Sequence, residues 1–387
     1  MIYKTSISVT EDIIVKLIEK KEVENIRLNK LQNYYNGNHA ILNRVMGDPA
    51  KPNNKIVVNY CQLIADFLSS YLVGVPVEYE NAPEWLIEVL NYNNNDEETD
   101  NLATDMNING IGFELHYIDE NGKSCYTNIN PTQCILIEND TLKNEVIGFI
   151  RFYPVFDINN NKHYEVDYYT KETIIHYTLD ETFNTLTRIG EPVPHPYKEV
   201  PVTWVINGGN TQGSFEQVIS MQDALNKVVS DELNDFEGFV DSYLVLEGLG
   251  ATTSQDIAQM KEDRVLLLDP DSKAYWLTKQ VNDTQVRELK DRLEKKIKEL
   301  GRIPDIFSEH TLFDSGEALK MRLVSTEILA KKQENALKKC LQRRAMLLYN
   351  IESIKGNTDD YTAINYVFSR SITPTEETVD VLSRDYL

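Results

Sequence analysis

The stretch Gly213–Gly248, GSFEQVISMQDALNKVVSDELNDFEGFVDSYLVLEG, predicts a helix that runs directly into a strand. Ser214 stands where an N-cap would, and Gln217 is the return partner of a capping box. Val218, Met221, Leu225, Val229, Leu233 and Phe236 recur every three or four residues and make one apolar stripe. Asp223, Lys227, Asp231, Glu232 and Asp235 occupy the other faces. SYLVLEG, a short apolar run closed by Gly, suits a strand.

Toward the C-terminus, this strand opens a small α/β insert at about 238–282, with a short helix near 254–261 and strands RVLLLD and AYWLTK. A second helix, about 283–300, stops at Gly301 ahead of Pro304. Its Val286, Leu289, Leu293, Ile297 and Leu300 form one seam. The face opposite Leu293 holds Arg287, Asp291, Lys295, Lys298 and, if the helix continues, Arg302. On a lone helix such a face is ordinarily just solvated. Residues 304–314 form a loop, since Pro304 disfavours helix before it and Asp314 with Glu317 marks a fresh start. A helix of about 40 residues, roughly 60 Å long, then extends from Ser315 toward Lys355. A strand near Tyr366–Ser371 and a helix start at Thr375 close the chain.

Toward the N-terminus, apolar periodicity predicts helices at about 10–35, 57–73 (with Gly74 just beyond its end), 83–92 and 97–107. From Gly110 to about Val205 the period changes to two, giving strands near 111–118, 124–128, 133–137, 145–153, 163–169, 173–178 and 185–189. Glu120-Asn121-Gly122-Lys123 is the clearest hairpin turn. The class is α+β, with two or three domains' worth of chain in 387 residues.

No apolar run approaches the ~20 residues that span a bilayer, so no membrane partner is expected. The N-terminal stretch has acids within its apolar region and no small-residue cleavage site, unlike a signal peptide. Cys61, Cys125, Cys134 and Cys340 lack CxxC spacing, which argues for a reducing compartment and against a disulfide framework or a zinc site. Net charge is −22. That disfavours static phosphate binding over the whole surface, and suits either solubility alone or walls along which DNA must slide. Residues 283–355 hold 16 Lys/Arg and 12 Asp/Glu, a net of +4 that leaves −26 elsewhere.

The catalytic motifs fail on inspection. Gly208–Ser214 lacks the Lys of a phosphate-binding loop. Asp157–Asn161 starts like a calcium loop, but Lys162 stands where Gly is needed and Tyr168 where Glu is needed. The six histidines are scattered, without HExxH spacing. Asp96, Glu97, Glu98 and Asp100 could hold a metal, yet at a helix start they more simply favour the positive dipole end. No catalytic residue, metal or cofactor is expected.

Five segments, in order, resemble one family. Tyr34-Tyr35-Asn36-Gly37-Asn38-His39 through Arg44 is similar to its YYxGxHxIxxR pattern, and Asn53–Tyr60 leading to Ser70–Val77 is similar to its NNK…NY…YLxGxPV block. Val200-Pro201-Val202 follows, then the helix with Asp223, Ser230-Asp231 and Asn234, then Ser315–Lys320 as SGxALK. These segments resemble the portal proteins of tailed double-stranded DNA phages with long tails and Gram-positive hosts.

The resemblance implies a portal fold: a mixed α/β wing (1–213), stem helix one (214–237), a small α/β clip (238–282), stem helix two (283–303), a tunnel loop (304–314), a long wing/crown helix (315–355) and the start of a helical crown (356–387). It implies a virion protein at one capsid vertex, assembled in the host cytoplasm as a closed ring of about twelve copies. Implied partners are double-stranded DNA passing through the channel, the terminase, head-completion or adaptor proteins, and coat and scaffold proteins. Arg287, Lys295, Lys298 and Arg302 would face the channel, and Ser308, Glu309, His310, Thr311 and Leu312 would form the tunnel loop. The final segment, TEETVDVLSRDYL, ends on an incomplete apolar face, so the chain is expected to be part of a longer protein, a naturally short crown being the competing reading. Two alternatives from other classes stand beside the portal: a metal-dependent DNA-processing enzyme using the 96–100 carboxylates, and a monomeric interaction module on a particle.

Overall fold

Strand β5, Cys134–Asn139, is buried at its first five positions because both of its faces are covered. Ile135 and Ile137 pack with Ile150, Phe152 and Val166 against Ile14, Leu17 and Ile18 of helix α1, Glu11–Tyr35. Cys134 and Leu136 turn the other way, toward Phe149, Ile111, Phe113 and Val202. Period-two alternation thus separates two cores across one sheet. That sheet runs β1-β5-β6-β7-β8-β9, where β1 is Ile2–Thr5, β6 Val146–Phe156, β7 Lys162–Tyr169, β8 Thr173–Asp180 and β9 Leu186–Pro194. Its pairs are antiparallel except β1 with β5. Below it lies a three-stranded sheet, β10 (Val202–Ile206), β3 (Ile111–Ile118) and β4 (Ser124–Ile129).

The computed structural model describes residues 1–49, 51–158, 160–238, 243–247, 253, 255, 262, 273–277, 283–304 and 316–370. The chain divides into two units: Met1–Asn38, Asn59–Ile219 and Ile297–Leu387 form the larger, and His39–Val58 with Ser220–Lys296 the smaller. In the larger unit a further core joins α2 (Tyr60–Val73), α3 (Glu84–Tyr92), α4 (Asn95–Asn109) and the long helix α7 (Gly316–Glu352) through Leu72, Trp85, Leu102, Met106, Leu337 and Leu348. The short pair β2 (Glu78–Glu80) and β13 (Asn365–Val367) caps it. The long helix ends in a 3-10 turn, Ser353–Lys355, and at Gly356 with φ +103°. The smaller unit holds α5 (Ile219–Gly238), most of α6 (Asp283–Gly301) and the antiparallel pair β11 (Tyr243–Glu247) and β12 (Lys273–Leu277). RVLLLD, the helix near 254–261 apart from Gln255, the loop 305–315 and the chain after 370 lie outside the described residues.

Glycines mark where backbones cross. Gly110 ends α4 at φ +82°, and a Cβ there would stand 2.3 Å from the carbonyl of Thr211. A Cβ on Gly213 would stand 2.2 Å from Ile108 O. This close approach overturns the capping box expected at Ser214. The Ser214 hydroxyl donates to Asn107 Oδ1 at 2.6 Å and Gln217 Nε2 donates to Leu300 O at 2.7 Å, so neither caps the helix. The chain enters through a 3-10 turn, Glu216–Val218, and the Glu216 carboxylate takes the Gly213 N–H at 3.1 Å.

Glu114 and Arg344 form a fully enclosed ion pair. Glu114 on β3 points away from the Phe113 core and meets Arg344 of α7 through two bonds, 3.0 and 2.6 Å. The third guanidinium nitrogen donates to Asn95 Oδ1 at 2.8 Å and Thr99 Oγ1 at 3.0 Å, and the Thr203 hydroxyl donates to Glu114 Oε1 at 2.9 Å. The Tyr126 ring lies 4.5 Å from the guanidinium carbon. Burial raises the pKa of Glu114, but Arg344 and His116 outweigh it and hold the carboxyl at about 2. His116, its Nε2 3.3 Å from Glu114 Oε1, is itself pushed down by burial.

Candidate nucleic-acid interface

Helix α6 forms as its apolar period predicts, from Asp283 to Gly301. Arg287 and Lys295 are exposed along it and Lys298 is half-buried. Arg302 is not on this face by helical continuation. The helix stops at Gly301, and Arg302 turns to φ +56° with its carbonyl accepting the Thr326 hydroxyl at 2.6 Å. Gly301 itself packs closely, since a Cβ there would stand 2.5 Å from Ile64 Cδ1. Of the seam, Ile297 is fully buried, Val286 and Leu293 are half-covered, and Leu289 and Leu300 are 43% and 40% exposed. Lys290 pairs with Glu232 of α5 at 2.6 Å. Ser308, Glu309, His310, Thr311 and Leu312 lie outside the described residues.

Helix α5 buries a face that the apolar stripe does not announce. Leu225 is fully buried, but Phe236 is 73% exposed, and the other fully enclosed positions are Gln222, Asn226 and Ser230. These recur every four residues and continue to Asn234, forming one polar ridge. Across it lies the extended segment Asn54–Val58. The Asn54 N–H donates to Asn234 Oδ1 at 2.8 Å, Ile56 N–H to Ser230 Oγ at 2.9 Å and Val58 N–H to Asn226 Oδ1 at 2.9 Å. The geometry is commensurate: two residues of extended chain advance about 6.6 Å, and four of helix about 6 Å. Gln222 Nε2 completes the ladder by donating to Val58 O.

The same ladder collects the histidine and arginine of the earlier motif. Asn226 Nδ2 can only donate, so buried His39 accepts through Nδ1 at 2.8 Å. Arg44 reaches Asp231 at 2.6 Å, Asn54 O at 2.6 Å and Asn53 Oδ1 at 3.1 Å. Segments far apart in sequence are therefore one device: a strap whose backbone donors are satisfied by side chains of a helix. Asn226→Leu removes the acceptor of Val58 N–H. We expect hydrogen exchange at Asn54, Ile56 and Val58 to quicken by about tenfold to a hundredfold, the cost of one unsatisfied buried group; unchanged protection would contradict the ladder.

The residues of the enzyme alternative do other things. Glu98 accepts from Asn128 N at 2.9 Å and ties α4 to β4. Among the described residues, no group of three or more His, Cys, Asp or Glu is arranged to hold a metal. No described helix is long and apolar enough to cross a membrane, and the four cysteines are free and buried.

The model of one family, phage portal protein of the SPP1 Gp6-like kind, matches residues 14–384. The chain belongs to that portal family. The portal protein of Bacillus phage SPP1 is 22% identical over 279 residues, 67% of this chain and 55% of its own length, so the match spans about half of that relative. The portal protein of Clostridium phage phiCD119 is 23% identical over 369 residues, 88% of this chain and 81% of its own. Among solved structures, an HK97-family portal protein from Corynebacterium diphtheriae is similar with 11% identity and a TM-score of 0.38 over 79% of this chain and 91% of its own. A chain from the neck of a native gene transfer agent particle, computed with C12 symmetry, has 11% identity and a TM-score of 0.49 over 84% of each. Portal proteins are structural rather than catalytic.

Proposed function

We propose that this portal protein assembles into a closed ring of about twelve copies at one capsid vertex, and that double-stranded DNA enters and leaves through its channel. The observation that carries this reading is the family match across residues 14–384. In this reading the larger unit supplies wing and crown and the smaller unit stem and clip. The clip side docks the terminase during packaging and head-completion proteins afterwards. Coat and scaffold proteins meet the ring during assembly in the host cytoplasm, and the loop containing Ser308–Leu312 reaches into the channel.

Arg287, Lys295 and Lys298 become stacked basic rings around the channel, touching phosphates weakly as DNA slides. Arg302 joins them at the channel wall from its turn rather than from the helix. Uneven charge supports this arrangement, since residues 283–355 carry +4 within a chain of −22. Reversing Arg287, Lys295 and Lys298 to Glu should slow packaging or weaken DNA retention, and the difference from wild type should shrink at high salt. A ring structure with these side chains on its outer surface would refute the assignment.

A further inference from the structure

The edge of β10 is incomplete. Its register with β3, together with bonds from His116 N to Pro201 O and from Asn207 N to Gly110 O, turns the backbone groups of residues 203 and 205 toward β3. Those of Val202, Trp204 and Ile206 must then face outward. Arg343 blocks one end, donating to Val202 O at 2.8 Å and Val200 O at 2.9 Å. Among the described residues, nothing meets the outward groups of Trp204 and Ile206.

Beside that edge lies a groove of about 600 Å³. Trp204, Ile206, Ala336 and Cys340 make its apolar lining, and Lys332, Lys339 and Arg343 its cationic rim. The α7 residues share one helical face about 16 Å long, which about five residues of extended chain would span. Lys332 and Lys339 are exposed and form no ion pair among the described residues.

We propose that this groove receives an extended, acid-bearing segment from a second copy of the chain, which adds a strand to the β10 edge. Open backbone donors and acceptors at alternate residues match a peptide strand, and the apolar lining accepts its alternate side chains. Charge selects the copy: outside 283–355 the chain carries −26 against the cationic rim. The proposal rests on the ring reading and adds the surface that one subunit offers the next.

The test uses the full chain, co-assembled from isotope-labelled and unlabelled protomers and treated with a carbodiimide. The reagent joins a lysine amine to a carboxylate as an amide, with loss of the activated oxygen as urea. We expect mixed-isotope peptide pairs at Lys332 or Lys339. Intact rings giving only same-isotope pairs at these lysines, or links to DNA alone, would overturn this proposal and leave the ring reading standing. A monomeric wild-type chain would overturn both. Lys332→Glu with Lys339→Glu should raise the concentration needed for assembly by at least about tenfold without altering the thermal stability of the monomer. In wild-type rings, the Trp204 and Ile206 amides should exchange slowly, and in the monomeric double variant quickly; equal exchange would also overturn it.

Discussion

Arg344→Ala should be the most damaging single change in the larger unit, costing about 3–5 kcal/mol. It leaves the Glu114 carboxylate enclosed without its cation, and strips Asn95 and Thr99 of a donor. Denaturant melts would measure it, and a loss below about 1 kcal/mol would contradict a closed pair. Leucine at both 114 and 344 should recover much of the loss, because the pair's removal is less harmful than its division. The acid limb gives a second readout. Glu114 has a folded pKa of about 2 against an ordinary 4.5, so its stability is present above about 4.5 and is lost as pH falls toward 2. Glu114→Gln should lose that part of the acid dependence.

Gly110→Ala should be nearly as harmful, at about 2–5 kcal/mol. The added carbon meets backbone atoms of Thr211 at 2.3 Å, and φ +82° is a left-handed conformation that alanine resists. Backbone cannot swing aside as a side chain can. Gly122→Ala is the control: it shares a positive φ, +74°, but has open space around it, so it should cost only about 1 kcal/mol. Equal losses for the two variants would show that the close crossing does not matter.

The elements legible in the sequence are those built on local period. α1, α2, and β3 through β9 follow the spacing of their own apolar residues, and Gly122 placed the hairpin between β3 and β4. What escaped was decided by partners distant in the chain. β1 is four residues long and pairs in parallel with a strand more than 130 positions on. Arg344 looks like any charge on a long helix until Glu114 arrives from 230 residues away. Ser214 has cap chemistry, but Asn107 takes its hydroxyl. The polar ridge of α5 was hidden for a related reason: Gln222, Asn226 and Ser230 suit a solvated face, and only the unpaired N–H groups of Asn54–Val58 make them a buried one. The motif resemblance did point to both halves of that ladder, although not to their meeting. Arg302 leaves the helical face because its own backbone turns to φ +56°, one residue past the helix end at Gly301.

Assembly tests the portal reading most directly. Native mass measurement of the purified chain at micromolar concentration and physiological salt, with negative-stain images of the same sample, should give one species at about twelve times the subunit mass, seen end-on as a ring with an open centre. A single monomeric species under those conditions, with no rings in the images, would contradict it.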